Sequence, residues 1–110
     1  MKDAQTQFIQ GTFELLILRT LIYGPAHGHA IAKHIQSSSE TLRIETGSLY
    51  PALHRLEAQG LVRPEWRLSD KGKRAKYYQL TPAGKRHLTA EHSRWEQFVL
   101  AISRVLLPSA

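Results

Sequence analysis

The sequence predicts a mainly α fold of the α+β class, in which three helices precede a two-stranded hairpin and one long terminal helix. Three observations predict it. Apolar residues recur at helical spacing in three stretches before Gly60. Between Leu61 and Leu80 the period changes to that of strands around a turn, and after Thr81-Pro82 a heptad-spaced apolar series runs to Leu106. A chain of 110 residues has room for one such domain with one modest core.

The first helix is expected to start after Gly11, with Thr12 as N-cap, because a threonine hydroxyl can accept from an unpaired amide of the first turn. Leu15, Leu16, Ile17, Leu18, Leu21 and Ile22 follow almost without interruption, the pattern of a central helix packed on most sides. Tyr23-Gly24-Pro25 stops it, since Gly permits a left-handed cap and Pro cannot continue the ladder. A second, shorter helix fits Gly28 to Ser37, with Ile31 and Ile35 on its buried side, and frays at Ser37-Ser38-Ser39. The third runs from about Thr46 to Gln59 with Leu49, Leu53 and Leu56 as its inward stripe, and Gly60 closes it. Pro51 is tolerated near the first turn, where amides have few intrahelical partners.

Leu61 to Leu68 reads as a strand in which Pro64 suggests an edge or a bulge. Ser69-Asp70-Lys71-Gly72-Lys73 is turn chemistry, and Lys76 to Leu80 is a second strand rich in aromatics. Tyr77 and Tyr78 point in opposite directions, so one is core and the other exposed. Trp66 reads as a core or hinge residue. Thr81 then caps the last helix, with Pro82 at its first position. Leu88, His92, Trp95, Val99, Ile102 and Leu106 follow at alternating steps of four and three, a seam along which two helices can pack. Phe98 and Val105 widen that stripe, and Pro108 ends the helix.

Three helices followed by a hairpin make a winged helix-turn-helix, and the terminal helix is surplus to it. We therefore expect residues 1–80 to form a DNA-binding winged helix and residues 81–110 a dimerisation helix.

Composition narrows the function. The net charge is +6 and the sequence pI about 10.0, which points to a polyanionic partner. Between Leu61 and Ala90, Arg63, Arg67, Lys71, Lys73, Arg74, Lys76, Lys85 and Arg86 face only Glu65 and Asp70. With no cysteine, thiol catalysis and cysteine zinc sites are excluded. The start Met1-Lys2-Asp3-Ala4-Gln5 lacks a signal peptide's apolar stretch, and no apolar run is long enough for a membrane, so a cytoplasmic location is expected. No phosphate loop or nucleophile elbow is present, and the acids are scattered, so neither enzymatic activity nor a cofactor is expected.

In a helix-turn-helix the third helix enters the major groove, which gives its leading edge, Thr46, Ser48, Tyr50, His54 and Arg55, to double-stranded DNA. Arg55 suits guanine edges or phosphate. Arg67, Lys71, Lys73, Arg74 and Lys76, at or near the hairpin tip, suit the flanking phosphates or the minor groove. The bland alternatives are a solvated helix face and a merely soluble loop. A winged-helix module that binds another protein through its terminal helix is the main rival function. Trp95 and His92 lie on the seam, where packing outweighs a ligand platform, although two tryptophans related by a dyad can hold a flat apolar molecule. His27, His29 and His34 invite a metal, but no further ligand is usefully spaced before Glu40, so no metal site is expected.

The chain resembles the PadR-type transcriptional regulators from about Gly11 to Leu106. The resemblance lies in Gly24-Pro25-Ala26-His27-Gly28, in Glu45-Thr46-Gly47-Ser48-Leu49-Tyr50-Pro51-Ala52-Leu53-His54-Arg55-Leu56-Glu57, and in Lys76-Tyr77-Tyr78-Gln79-Leu80-Thr81-Pro82-Ala83-Gly84. It implies a homodimer joined through the C-terminal helix that binds a two-fold symmetric operator, usually to repress. It also implies that Ser48, Tyr50, His54 and Arg55 face DNA, with Lys73, Arg74 and Lys76 as the wing contact. Several such regulators respond to small aromatic effectors, and by that likeness Trp95 lines the effector cavity. The single short C-terminal helix is similar to the compact branch of the family. His29 departs from it, standing where an aromatic residue commonly follows the His-Gly pair.

Overall fold

A computed structural model of the protein describes residues 4–38 and 46–107, without the side chains of residues 4–10 and of Thr46. The elements are α1 (Ala4–Thr20), a 3-10 turn (Leu21–Tyr23), β1 (Ala26–His27), α2 (Gly28–Ser38), α3 (Thr46–Ala58), β2 (Val62–Leu68), β3 (Arg74–Leu80) and α4 (Pro82–Leu106). The expected order of helices and hairpin holds. Ser39, Glu40, Glu45 and Pro108, used in the sequence argument, lie outside the described residues.

Two boundaries differ from expectation. Helix α1 begins at Ala4, so Thr12 is an interior residue and not its N-cap. An exposed glycine inside a helix costs only about 1 kcal/mol relative to alanine, and Gly11 has open space where a side chain would stand. Packing of α1 against α2, α3 and α4 outweighs that local weakness. The second difference is β1, which pairs Ala26 with Tyr78 and His27 with Tyr77, giving an antiparallel sheet of order β1-β3-β2.

The core sits where α1, α2, α3 and the base of the hairpin meet. Ile17 and Leu18 from α1, Ile31 and Ile35 from α2, and Leu49, Leu53 and Leu56 from α3 are buried with Val62, Tyr78 and Leu80 from the sheet. Tyr78 is thus the core tyrosine, and Tyr77 lies on the outer face. Pro51 falls in the second turn of α3. It deprives the carbonyl of exposed Gly47 of its helical amide partner.

The junction between α3 and the hairpin is built by backbone hydrogen bonds. Gly60, with φ of 74°, closes α3 in the left-handed conformation. The Leu61 amide donates to Leu56 O at 2.9 Å and the Gly60 amide to Glu57 O at 3.0 Å, the two bonds of a Schellman motif. Helix α4 starts against this turn. The Thr81 hydroxyl accepts from the Gly84 amide at 2.9 Å as an N-cap and donates to Gly60 O at 2.7 Å, while the Thr81 amide donates to Leu61 O at 3.1 Å. One short segment therefore fixes the recognition helix, the wing and α4 relative to one another.

Beyond its first two turns α4 leaves the core. Gly84 and Leu88 are its buried residues. From His92 onward nearly every position is exposed, including Trp95, Phe98, Val99, Leu100, Ile102, Val105 and Leu106. The molecule is 59 Å long against 32 and 29 Å across. Its radius of gyration of 15.6 Å exceeds the roughly 13 Å of a compact domain of this length.

Candidate nucleic-acid interface

The leading face of α3 is open. Gly47, Ser48 and His54 are exposed, as is Tyr50 along part of its ring. The rest of that ring lies against the start of α2, where a Cβ added at Gly28 would meet Tyr50 Cε1 at 3.0 Å. Tyr50 thus sets the separation of the two helices of the helix-turn-helix while keeping an edge in solvent. Helix α2 is capped from the sheet: the Ala30 amide donates to His27 Nδ1 at 3.2 Å. The His27 ring meets Tyr77 edge-on at 5.3 Å and stacks with His29 at 6.3 Å. Among the described residues no three His, Asp or Glu side chains converge as metal ligands.

Several of the residues singled out from the sequence have partners inside the chain. Arg55 Nε donates to Glu14 Oε1 at 2.6 Å, a half-buried ion pair that ties α3 to α1. Lys76 Nζ lies 3.3 Å from Glu57 Oε1, joining β3 to the C-terminal end of α3, and 5.5 Å from the centre of the Tyr78 ring. Partial burial of the Lys76 ammonium opposes its charge, but the Tyr78 hydroxyl and the Glu57 carboxylate outweigh that and raise its pKa above the ordinary 10.5. The pair's contribution is complete at neutral pH and is lost only in alkali, as pH rises through the raised value. Burial likewise raises the Tyr78 phenol, partly offset by Lys76. Leu88, read as part of the seam, is 4% exposed and belongs to the chain's own core.

The wing tip presents the other cations. Ser69 organises it: its amide donates to Lys73 O at 2.7 Å, its carbonyl accepts from the Gly72 amide at 2.9 Å, and its hydroxyl accepts from the Lys73 amide at 3.3 Å. Gly72, at φ 75°, supplies the left-handed residue that the turn requires. Lys71 and Lys73 are exposed on this turn. Arg67 bonds to Glu65 at 3.0 Å and lies 4.7 Å above the Tyr77 ring, and Arg74 lies 5.1 Å above the Trp66 ring. Trp66 is not a core residue: it is 56% exposed, because β2 runs past the edge of the core.

Between α1 and α4 lies a mostly apolar groove of about 170 Å³, lined by Thr12, Leu15, Leu16, Arg19, Leu88, His92 and Trp95. The His92 and Trp95 rings are 6.4 Å apart. Among the described residues no helix is long and apolar enough to cross a membrane.

Comparison with known proteins agrees with this architecture. Residues 17–90 match the pattern of the Transcriptional regulator PadR-like family. The chain is 35% identical over 91 residues to Transcriptional regulator Rv3488 of Mycobacterium tuberculosis, covering 83% of this chain and 82% of that one. It is 47% identical over 78 residues to a 37.1 kDa protein in transposon TN4556 of Streptomyces fradiae, of whose length it spans only 21%. Among solved structures, a PadR family transcriptional regulator from Eggerthella lenta superposes with a TM-score of 0.78 at 31% identity, over 96% of this chain and 92% of that one. The Mycobacterium tuberculosis and Eggerthella lenta proteins are described as transcriptional regulators, and the second shares the fold. The chain belongs to the PadR-like family of transcriptional regulators.

Proposed function

We propose that this regulator is a sequence-specific DNA-binding repressor that acts as a homodimer on a two-fold symmetric operator. One observation carries the reading: a single junction at Gly60, Leu61 and Thr81 holds an open recognition-helix face and a cationic wing in one frame. Ser48, Tyr50 and His54 would meet base edges in the major groove, with Thr46 at the start of the helix. Lys71, Lys73 and Arg74 would neutralise flanking phosphates. Arg55 and Lys76, paired with Glu14 and Glu57, act by fixing the pose of α3, as does Arg67 for the strand through Glu65 and Tyr77.

The dimer would form along α4 beyond Leu88, where Trp95, Val99, Ile102 and Leu106 continue the heptad seam. Residues 81–110 then divide in function, the first two turns completing the DNA-binding unit and the remainder holding the partner copy. The α1–α4 groove supports a small aromatic effector beside Trp95. Its volume is close to that of the apolar cavities of about 150 Å³ that accept one benzene ring. Such a ligand would act by favouring a dimer geometry whose recognition-helix spacing mismatches the operator.

Salt dependence tests the DNA contact. Each phosphate neutralised contributes about 0.9 to the slope of log affinity against log salt. The Lys71→Ala, Lys73→Ala double variant is expected to bind every duplex more weakly, with a slope shallower by roughly two such increments. Anisotropy titrations with labelled DNA over a range of salt measure this. An unchanged slope would remove the wing from the interface.

A further inference from the structure

The hairpin's core-side face carries more apolar surface than its fold needs. Along β2, Val62 is buried, whereas Trp66 and Leu68 point to the same side and are 56% and 71% exposed. Directly opposite them on β3 stand Lys76 and Arg74. The Arg74 guanidinium lies 5.1 Å above the indole. The Lys76–Glu57 pair shows that this face looks toward the recognition helix. Among the described residues neither this indole nor this leucine joins the buried core, and a merely soluble hairpin would place polar residues there.

We propose that Trp66 and Leu68 form an apolar wedge that packs against the deoxyribose walls of the DNA minor groove beside the recognition helix. The inference rests on the DNA-binding reading above and adds to it a contact that carries no charge. Charge complementarity selects the occupant. Arg74 and Lys76 stand on the wedge's own face, the latter paired with Glu57, and Lys71 and Lys73 are exposed on the adjoining turn. Glu65 is held by Arg67 on the opposite face, a setting that suits a polyanion with apolar walls. Minor-groove proteins use apolar side chains in this way, gaining contact area where bases or sugars are accessible. The Arg74 guanidinium stacked over the indole keeps a cation beside the wedge, while the wedge itself meets the sugars.

An apolar contact and a phosphate contact leave different signatures in salt. The Trp66→Ala, Leu68→Ala double variant is expected to lose about tenfold or more in affinity for a fluorescein-labelled duplex from the DNA upstream of the protein's own coding sequence. Its salt slope should stay at the wild-type value, in contrast to that of Lys73→Ala. Trp66→Phe is expected to lose less. Circular dichroism of each variant separates loss of contact from loss of fold. The chain has two tryptophans, so the emission difference between wild type and Trp66→Phe isolates the Trp66 signal. DNA should shield that signal from acrylamide.

Wild-type affinity in the double variant, with the indole still open to acrylamide when DNA is bound, would overturn the wedge and leave the DNA-binding reading intact. A loss of affinity accompanied by a shallower salt slope would also overturn it, making Trp66 a positioning residue for Arg74. Failure of the wild-type protein to bind that duplex or calf-thymus DNA would sink both readings together.

Discussion

Replacing Gly84 with alanine is expected to destabilise the protein by about 3 kcal/mol or more, the upper range for overpacking a core. A Cβ at this position would run into the Leu61 carbonyl oxygen and approach Leu80 Cδ1 to 2.9 Å. The first obstacle is backbone and cannot rotate away. The same carbonyl accepts the Thr81 amide, and the Gly84 amide itself donates to the Thr81 hydroxyl. Any shift that makes room for a methyl group therefore loosens the cap of α4 and the turn that closes α3. Urea unfolding at fixed protein concentration would measure the loss, the concentration being held constant because the proposed dimerisation would add to apparent stability. A change below about 0.5 kcal/mol, the level of an ordinary surface substitution, would show that α4 does not dock on Leu61 as described.

The second large effect concerns assembly. Ile102→Glu is expected to leave the fold intact and convert the protein to monomers in sedimentation equilibrium. Among the described residues the core ends on α4 at Leu88, and Ile102 is not part of it. A carboxylate brought into a two-fold apolar seam would meet its own copy without a partner cation, a burial that costs several kcal/mol. Loss of the dimer also predicts loss of operator binding, because one recognition helix reads only half a site. A stable dimer of this variant would place the interface elsewhere.

Much of this architecture was legible in the sequence because its signals are local. Gly60 after a leucine stripe and Thr81-Pro82 before the last helix are punctuation whose chemistry acts within a few residues. The alternation from Val62 to Leu68 marked a strand, yet it could not tell whether Trp66 met the core, since that depends on how far the strand overruns the helices. The start of α1 was hidden for a related reason. Gly11 looks like a boundary, and only packing against other helices explains why the helix continues through it. Strand β1 is two residues long, too short for any period.

Within the candidate interface the sequence identified the cations but not their partners. Arg55 is separated by 41 positions from Glu14, and Lys76 from Glu57 by a whole strand and turn. Such pairings are made by tertiary structure alone. A cue did exist for His27, since a side-chain acceptor three residues before Ala30 is the spacing of a helix cap. It was masked by the more familiar association of clustered histidines with metals.

We propose that a homodimer of this chain reads a two-fold symmetric DNA sequence. Selection of fragments bound by the purified protein from sheared genomic DNA, at about 0.15 M salt, tests it most directly. Convergence is expected on an inverted repeat whose half-sites are centred about one helical turn apart, roughly 10 base pairs. Recovery of fragments with no common sequence, or of a single half-site without symmetry, would contradict it.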